Sequence, residues 1–153
     1  MSKSLNRVTA ALDALGIAGR PVEMPGETRT ARQAADAVGC ALDQIAKSII
    51  FGQGNGCALF LTAGGNKVDP TRAMALAGAP LSRADADTVR RVTGFAIGGV
   101  SPVGHLSASP VWMDRRLMDF DTVWAAAGTP RHVFPVAPND LLRVTRAILA
   151  DFT

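Results

Sequence analysis

The hydrophobic positions near the start of the chain recur every three or four residues between Leu5 and Leu15. That spacing puts them on one side of a helix, so it predicts an amphipathic helix over 4–15 that stops at Gly16. Thr30 is a good N-cap and predicts a second helix over Ala31–Val38, closed by the glycine that follows. Further helices are predicted over Pro70–Leu76, Asp85–Val92 and Asn139–Ala150.

The middle of the chain has a different pattern, with β-branched and aromatic residues concentrated over Ile45–Phe51 and Cys57–Thr62. A turn sequence separates these two runs, which predicts a β-hairpin. Shorter strands are predicted over 21–24 and 110–113, and a second hairpin over 122–127 and 132–136, although residues 125–127 could equally be helical. Without an internal repeat or linker, the pattern predicts one mixed α+β domain over 1–153, with helices at both ends around a sheet or small barrel.

The bulk composition fits one packed domain. The chain has 153 residues, of which 48% are hydrophobic and 19% charged, values that argue against disorder. No apolar run approaches the roughly 18 residues of a membrane span, and the start turns polar too early for a signal peptide. We therefore expect a cytoplasmic protein with no membrane partner. The net charge of +3 is compatible with an RNA partner but does not by itself indicate one.

Two cysteines and two histidines limit the metal chemistry that the sequence can support. Cys40 and Cys57 lack CxxC spacing, and no HExxH pattern includes His105 or His132. A dedicated zinc or iron site is therefore not expected. Both cysteines are interpreted as reduced, buried thiols.

Lys47 is the first candidate for chemistry. The chain contains three lysines, and this one lies within a predicted strand, on the same face as Ile45 and Ile49. An ammonium group on an apolar face is costly unless it is paired or lines a cavity, and burial would lower its pKa. The alternative is a lysine at the end of a strand whose side chain extends to solvent.

The glycine-rich segment Gly98–Gly104 is the second candidate. Consecutive glycines allow a positive φ and let a ligand approach backbone N–H groups, so the segment suits an anion-binding nest or an oxyanion hole. It matches neither the Walker A nor the GxGxxG pattern, and Ser101 lacks the GxSxG context of a hydrolase nucleophile. A bulge or turn between strands is the alternative interpretation.

Two further features are weaker. The segment Gly64–Asp69 is polar and glycine-rich and precedes a predicted helix, so Lys67 could meet a phosphate there. A simple strand-to-helix connection is the commoner case. His105 and His132 follow glycine-rich turns, where each could transfer a proton or could be a surface or structural residue.

The order of these features carries a resemblance to a known family. A lysine on a strand is followed by a glycine-polar loop and then by the sequence GGVSPVGH. In that order they resemble the YbaK/EbsC family, which includes the editing domain inserted in bacterial prolyl-tRNA synthetases. The resemblance runs from Leu5 to the last predicted helix and is most specific over Ala46–Phe51 and Thr93–Gly104. The segment Asp121–Pro130 also looks like the free-standing members.

The resemblance implies a mixed, barrel-like β-sheet wrapped by helices. It also implies hydrolysis of the ester between a wrong amino acid and tRNA, without a metal or organic cofactor. The tRNA would be one for proline carrying alanine or cysteine, and its aminoacylated acceptor end would be the partner. Prolyl-tRNA synthetase is a second candidate partner, and no DNA is expected. Catalytic candidates on this basis are Lys47, Gly98, Gly99 and Ser101, and substrate-binding candidates are Ile49, Asn66, Lys67, Pro102, His105, Gly128 and His132.

An aminoacyl ester is already activated, so the expected chemistry requires no strong protein nucleophile. Water, or a group of the substrate itself, can attack the carbonyl if backbone N–H groups around 98–101 stabilise the oxyanion. Lys47 could hold the terminal phosphate or ribose, or contact the amino-acid carbonyl. We favour such electrostatic positioning over general-base catalysis, because a charged lysine can do this at neutral pH. A small pocket would reject larger, correct amino acids.

Two departures from the family pattern leave the edited amino acid open. His105 follows Gly104 where some members have glutamine and lysines, and Gly128–His132 has histidine where a GxxxP loop has proline. Two other functions also stay open: a non-catalytic module that binds tRNA or a synthetase, and a hydrolase of small acyl esters or amides. Salt-sensitive tRNA binding without release of amino acid would indicate the first. Cleavage of free aminoacyl esters as fast as charged tRNA would indicate the second.

Overall fold

Local caps define the helices of the structure, a computed structural model that describes residues 2–26 and 28–153. Ser2 accepts a hydrogen bond from the Leu5 amide at the start of the first helix, and Thr30 and Gln33 form a reciprocal capping box at the second. The helices are α1 (Lys3–Ala14), α2 (Ala31–Val38), α3 (Pro70–Ala77), α4 (Ala86–Thr93) and α5 (Pro138–Thr145), with short 3-10 helices at Leu42–Gln44 and Arg115–Asp119. Within the described residues, every helix is too short or too polar to cross a membrane.

The strands form one mixed sheet. They are β1 (Val22–Glu23), β2 (Ile45–Gln53), β3 (Gly56–Ala63), β4 (Ser82–Arg83), β5 (Val111–Asp114), β6 (Val123–Ala126), β7 (His132–Val136) and β8 (Ile148–Ala150). Their order is β1-β7-β6-β2-β3-β5-β8, and β4 pairs with the far end of β2. The β2–β3 and β6–β7 hairpins are antiparallel, whereas β2 pairs with β6, and β5 with β3 and β8, in parallel. The expected mixed α+β fold and both predicted hairpins are confirmed.

The strand β2 changes partner along its length. Ile45 and Ala46 pair with β6, whereas Phe51 and Gly52 pair with β4. On that edge, residues 47–50 have no strand partner in the part of the chain that the structure describes. Their N–H and C=O groups that point to this edge are therefore available to another molecule.

The two faces of the sheet are buried differently. On one face a large, mainly aliphatic cluster includes side chains of α1 and α4, with Val8 and Val89 fully buried. On the other face, Phe60 stacks on Trp112 with ring centroids 5.0 Å apart, and Phe152 meets Phe60 edge-on. A third, smaller cluster packs against α2. These contacts hold the central strands in place.

Alternate residues of β2 face different clusters. Ala46 and Ile50 pack with the aliphatic cluster, whereas Ile49 packs with the aromatic one. Because successive residues of a strand point to opposite faces, Ser48 lies on the aliphatic side and Lys47 on the other. The unpaired edge therefore presents a different polar side chain to each face of the sheet.

The predicted final helix over Asn139–Ala150 is wrong in its second half. Helix α5 ends at Thr145, and Arg146 adopts a left-handed conformation with a φ of 55°. The chain then forms β8, which pairs in parallel with β5, and Phe152 is fully buried just beyond it. The apolar spacing over 141–149 fits either a continuous helix or a helix followed by a strand, and the open edge of β5 decides between them. Strand β4 is also not predicted, since its two residues lie outside any β-rich run.

Candidate functional site

The unpaired edge of β2 forms one wall of a cavity of about 420 Å³. The other walls come from the start of α2, the loop that follows α4, and the turn between β6 and β7. Most of the lining side chains are apolar. Four of the residues predicted from the sequence line this cavity, namely Lys47, Ile49, Gly98 and His132.

The Lys47 ammonium lies at the side of the cavity nearest the turn that follows β3. It is partly buried, and its Nζ donates a hydrogen bond of 3.3 Å to the Gly64 carbonyl. Burial lowers the pKa of Lys47, and the nearby Lys67 lowers it further, while the carboxylates of Asp114 and Asp43 oppose the shift. The site therefore contains a cation that is only weakly compensated by the protein.

The turn beside Lys47 is held by two carboxylates. The Gly65 amide donates to Asp43 Oδ1 at 2.8 Å, and the Asn66 amide group donates to Asp114 Oδ2 at 2.9 Å. A side chain at Gly64 would collide with the Leu42 carbonyl oxygen, which explains the glycine there. Asn66 thus holds the turn in the structure, and the exposed Lys67 follows it outside the cavity wall.

The ionic contact behind this turn fixes Asp43. Arg116 Nε lies 3.0 Å from Asp43 Oδ2, and this hydrogen bond is the main reason that the pKa of Asp43 is below its ordinary value. An ionised Asp43 keeps accepting from the Gly65 amide at neutral pH. The position of the Gly64 carbonyl, and with it the resting position of Lys47, depends on this pair.

In the first half of the glycine-rich loop, Gly98 and Val100 line the cavity, whereas Gly99 is buried and does not. Gly98 has a φ of 95°, which only glycine adopts without strain, and a side chain at Gly99 would approach the Gly128 carbonyl oxygen to 3.1 Å. The Gly99 amide donates to the Ala96 carbonyl at 3.0 Å, so that N–H group is already used. Among the described residues, the amides of Gly98 and Val100 have no such backbone acceptor.

The second half of the loop is packed into the protein. Ser101 is fully buried, and its hydroxyl accepts a hydrogen bond of 3.2 Å from the Val103 amide. The neighbouring Pro102 is buried as well. His105 donates through Nε2 to the Ser101 carbonyl and meets Phe95 edge-on. None of these five residues lines the cavity among the described parts of the chain.

Burial also sets the charge of His105. It lowers the pKa of the imidazole, and the nearby Arg7 lowers it further, against the raising effect of the hydrogen bond to Ser101. A carbonyl oxygen can only accept, so the Nε2 atom carries the proton. His105 is therefore a neutral, internal donor at pH 7.

The turn between β6 and β7 carries the remaining predicted residues. Gly128 has a φ of 95° and packs against the backbone of α1, where an added side chain would come within 2.9 Å of the Ser4 carbonyl oxygen. Thr129 Oγ1 accepts a hydrogen bond from the Arg131 amide and lies 2.7 Å from His132 Nδ1. The turn therefore holds the His132 ring in a defined orientation at the cavity.

The start of α2 also borders the cavity, although no motif marks it. The Thr28 amide donates to the Pro130 carbonyl at 3.1 Å, which ties this segment to the opposite wall. Arg29 lines the cavity and is exposed, so its guanidinium and the N-terminus of α2 both bring positive charge to the rim. The cap at Thr30 is predictable from sequence, but its distance from the strand of Lys47 is not. Ser48 is a further lining residue that sequence reasoning missed.

The arrangement brings a cation, unpaired backbone groups and an apolar wall to one cavity. Lys47 can hold an anion, the glycine loop can donate to a carbonyl oxygen, and the apolar wall can take a small side chain. Among residues 2–26 and 28–153, no group of three His, Cys, Asp or Glu side chains is placed to hold a metal ion. The cavity therefore suits a ligand that combines an anionic group, a hydrogen-bond acceptor and an apolar group.

Comparison with known sequences agrees with the resemblance to editing domains. The family model of the aminoacyl-tRNA editing domain matches residues 25–144, a span that contains Lys47 and the whole glycine-rich loop. The uncharacterized protein YwhH of Bacillus subtilis (strain 168) is 32% identical over 120 residues. That match covers 78% of this chain and 76% of the relative.

Solved structures share the same fold. One is of a proposed trans-editing enzyme for prolyl tRNA synthetase and is 45% identical, with a TM-score of 0.94 over 100% of this chain and 98% of the other. Another, the hypothetical protein APE2540, is 28% identical, with a TM-score of 0.85 over 95% of this chain and 98% of the other. The fold expected from the resemblance is therefore confirmed.

Proposed function

The chain belongs to the aminoacyl-tRNA editing domain family, and from that premise we propose that it hydrolyses the ester bond of mischarged tRNA in trans. The proposed substrate is a tRNA for proline that carries a small wrong amino acid, alanine or cysteine. The observation that supports this most directly is Lys47 on an unpaired strand edge, in a cavity that a glycine loop also lines. The 45% identity to a proposed trans-editing enzyme for prolyl tRNA synthetase favours the same substrate class.

Lys47 is proposed to bind the phosphate of the terminal nucleotide. Its pKa is lowered mainly by burial, and an incoming phosphate would favour the charged form again because it supplies an opposite charge. Its bond to the Gly64 carbonyl is long, at 3.3 Å, and a charged acceptor would replace it with a stronger one. Lys67 is exposed on the same turn and is proposed to contact the tRNA backbone next to that nucleotide.

The proposed reaction is ester hydrolysis. The oxygen of a water molecule attacks the ester carbonyl carbon, the bond to the ribose oxygen breaks, and that oxygen takes up the proton that the water loses. The products are the free amino acid and tRNA with a free ribose hydroxyl. The Gly98 and Val100 amides would donate to the oxyanion, and one such donor contributes roughly 100- to 1,000-fold to a rate.

The apolar part of the cavity favours a small amino-acid side chain. Ala34, Ile45 and Val133 line the wall next to α2 and belong to one buried cluster. A hydrophobic pocket distinguishes one methylene group by only about 10- to 200-fold. Rejection of the correct proline would therefore depend on the shape of the pocket as well as on its size.

The proposed substrate also implies where the protein works and what it meets. Charged tRNA is used in the cytoplasm, and prolyl-tRNA synthetase, which produces the mischarged form, is a further proposed partner. Arg29 at the rim and Lys67 on the neighbouring turn are both exposed and positive, which suits the acceptor end of tRNA. Binding should weaken as salt is raised, because released counterions drive such contacts.

A panel of charged tRNAs tests the proposal. The tRNA for proline is charged with labelled alanine, cysteine, serine or proline, and release of the label is followed with and without the protein. We expect fast release of alanine or cysteine and much slower release of proline. Salt-sensitive tRNA binding with release from none of them would indicate a non-catalytic module. Cleavage of a free alanine ester as fast as Ala-tRNA would indicate a small-ester hydrolase, and either result would overturn the proposal.

A further inference from the structure

One residue that lines the cavity carries a buried hydroxyl without a partner. Ser48 follows Lys47 on β2, and its Oγ makes no hydrogen bond within the described residues. Two other buried side-chain atoms in that part of the chain share this property, Arg7 Nη2 and Ser109 Oγ, and neither residue lines the cavity. A buried polar atom without a partner is unfavourable, so Ser48 stands to gain when a ligand supplies one.

We propose that the Ser48 hydroxyl binds the α-amino group of the amino acid carried by the tRNA, an inference that rests on the proposed function. Ser48 lies on the face of β2 opposite to Lys47, the face shared with Ile50. Val100, from the glycine-rich loop, belongs to the cluster on that face and also lines the cavity. A phosphate at Lys47 and an amino group at Ser48 then lie on opposite sides of one strand edge, with the ester carbonyl between them.

A hydroxyl suits an amino group in either protonation state. An ammonium group donates to the serine oxygen, and a neutral amine can both donate to it and accept from it. The cavity wall on this side includes Ile50, Ile97 and Val100, whose side chains are apolar. An amino group that arrives there loses water contacts, so a hydroxyl within reach favours the correct orientation of the ester.

The inferred contact requires the hydroxyl to rotate about its Cα–Cβ bond towards the cavity. Ser48 Oγ is covered by neighbouring atoms, although the residue as a whole is partly exposed. Because the hydroxyl has no hydrogen bond to lose, a change to another staggered rotamer costs little. The rotation exchanges an unpartnered position for one in contact with the substrate.

The test removes the hydroxyl and the amino group separately. Single-turnover hydrolysis is measured for tRNA charged with alanine and for the same tRNA charged with propionate, which is alanine without its amino group. We expect Ser48→Ala to lower the single-turnover rate constant for Ala-tRNA about tenfold and to leave that for propionyl-tRNA within about twofold, since only the first substrate loses a hydrogen bond. Its melting temperature should not fall, because the deleted hydroxyl has no partner in the fold.

Ser109→Ala is the matched control. It deletes a hydroxyl that is equally buried and equally unpartnered but lies outside the cavity wall, so hydrolysis of both substrates should be unchanged. An equal loss on both substrates, no loss on Ala-tRNA, or a lower melting temperature of Ser48→Ala would each overturn the inference. If the unmodified protein releases alanine from no tRNA, the proposed function itself fails, and that result is distinct from a silent Ser48→Ala.

Discussion

The edge of β2 at residues 47–50 and the loop at residues 101–105 both carry polar groups that stand out in the sequence. The two regions differ in whether those groups have hydrogen-bond partners in the folded protein. On the edge, hydrogen-bonding groups either have no partner or have only a weak one. The strand has no partner there among the described residues, the Ser48 hydroxyl is unpaired, and the Lys47 ammonium has one long bond to a carbonyl. The residues that carry these groups line one cavity.

In the loop, the hydrogen-bonding groups are paired with one another. Ser101 accepts from the Val103 amide, and His105 donates to the Ser101 carbonyl, both away from the cavity wall. The boundary between the two kinds of surroundings falls at Val100, inside the segment that looks most like a binding motif. A glycine-rich sequence can therefore indicate either close packing or a place where a ligand approaches the backbone. The two cases are distinguished by whether the hydrogen-bonding groups already have partners.

Removing the charge on the edge should have the largest effect. We expect Lys47→Ala to lower the rate of Ala-tRNA hydrolysis by about 100-fold or more, since the contact that holds the terminal phosphate, and with it the ester, in position is lost. The melting temperature should hold, because the cation is weakly compensated in the fold. Lys47→Met, which keeps the aliphatic stem, should be equally slow. Lys3→Ala, an exposed lysine on α1, serves as the control, and full activity of Lys47→Ala would contradict the assignment.

A substitution in the loop should reduce stability more than activity, the reverse of the effect expected at Lys47. Ser101→Ala leaves the buried Val103 amide without its acceptor, so we expect the free energy of unfolding to fall by about 1–3 kcal/mol. Hydrolysis measured well below the melting temperature should fall far less than in Lys47→Ala. Denaturant unfolding and single-turnover kinetics on one preparation check both parts. Unchanged stability with lost activity would instead support the catalytic role that the family resemblance implies for Ser101.

The smallest expected effect is a pH dependence of stability from the same loop. The folded protein lowers the pKa of His105 from its ordinary 6.5, so the unfolded chain binds more protons as pH falls through that value. The free energy of unfolding should therefore decrease between about pH 7.5 and pH 5.5, a window above the pKa of the carboxylates. His105→Gln should flatten this dependence in thermal melts. A variant with the same slope as the unmodified protein would show that His105 is not its source.

Much of the local structure could be predicted from the sequence because its causes are local. Helix α2 lies over the predicted residues, since Thr30 caps it and Gly39 closes it within one segment. The β2–β3 hairpin follows from two β-rich runs around a turn. The end of the chain could not be predicted in the same way, because β8 exists only where the edge of β5 is open to it.

The features of the site can also be divided into those that the sequence predicts and those that it does not. A lysine in an apolar strand and a glycine-rich loop can be picked out from the sequence, and their order is enough to identify the family. Their separation in the fold, the place of α2 beside them, and the unpaired Ser48 hydroxyl depend on contacts between distant segments. Hydrogen bonds such as that from Thr28 to the Pro130 carbonyl join residues about a hundred positions apart, and no local pattern encodes them.

The sequence by itself determined the family, the α+β class and the residue types that chemistry would need. Only the tertiary structure decided which of those residues share a cavity, because burial and partner choice are properties of the packed chain. Lys47 and Gly98 line one cavity beside an edge that β6 pairs only in part, whereas Ser101 and His105 find their partners within their own loop. The two regions differ because strand pairing leaves hydrogen-bonding groups on the edge of β2 without partners, whereas the groups of the loop pair with one another.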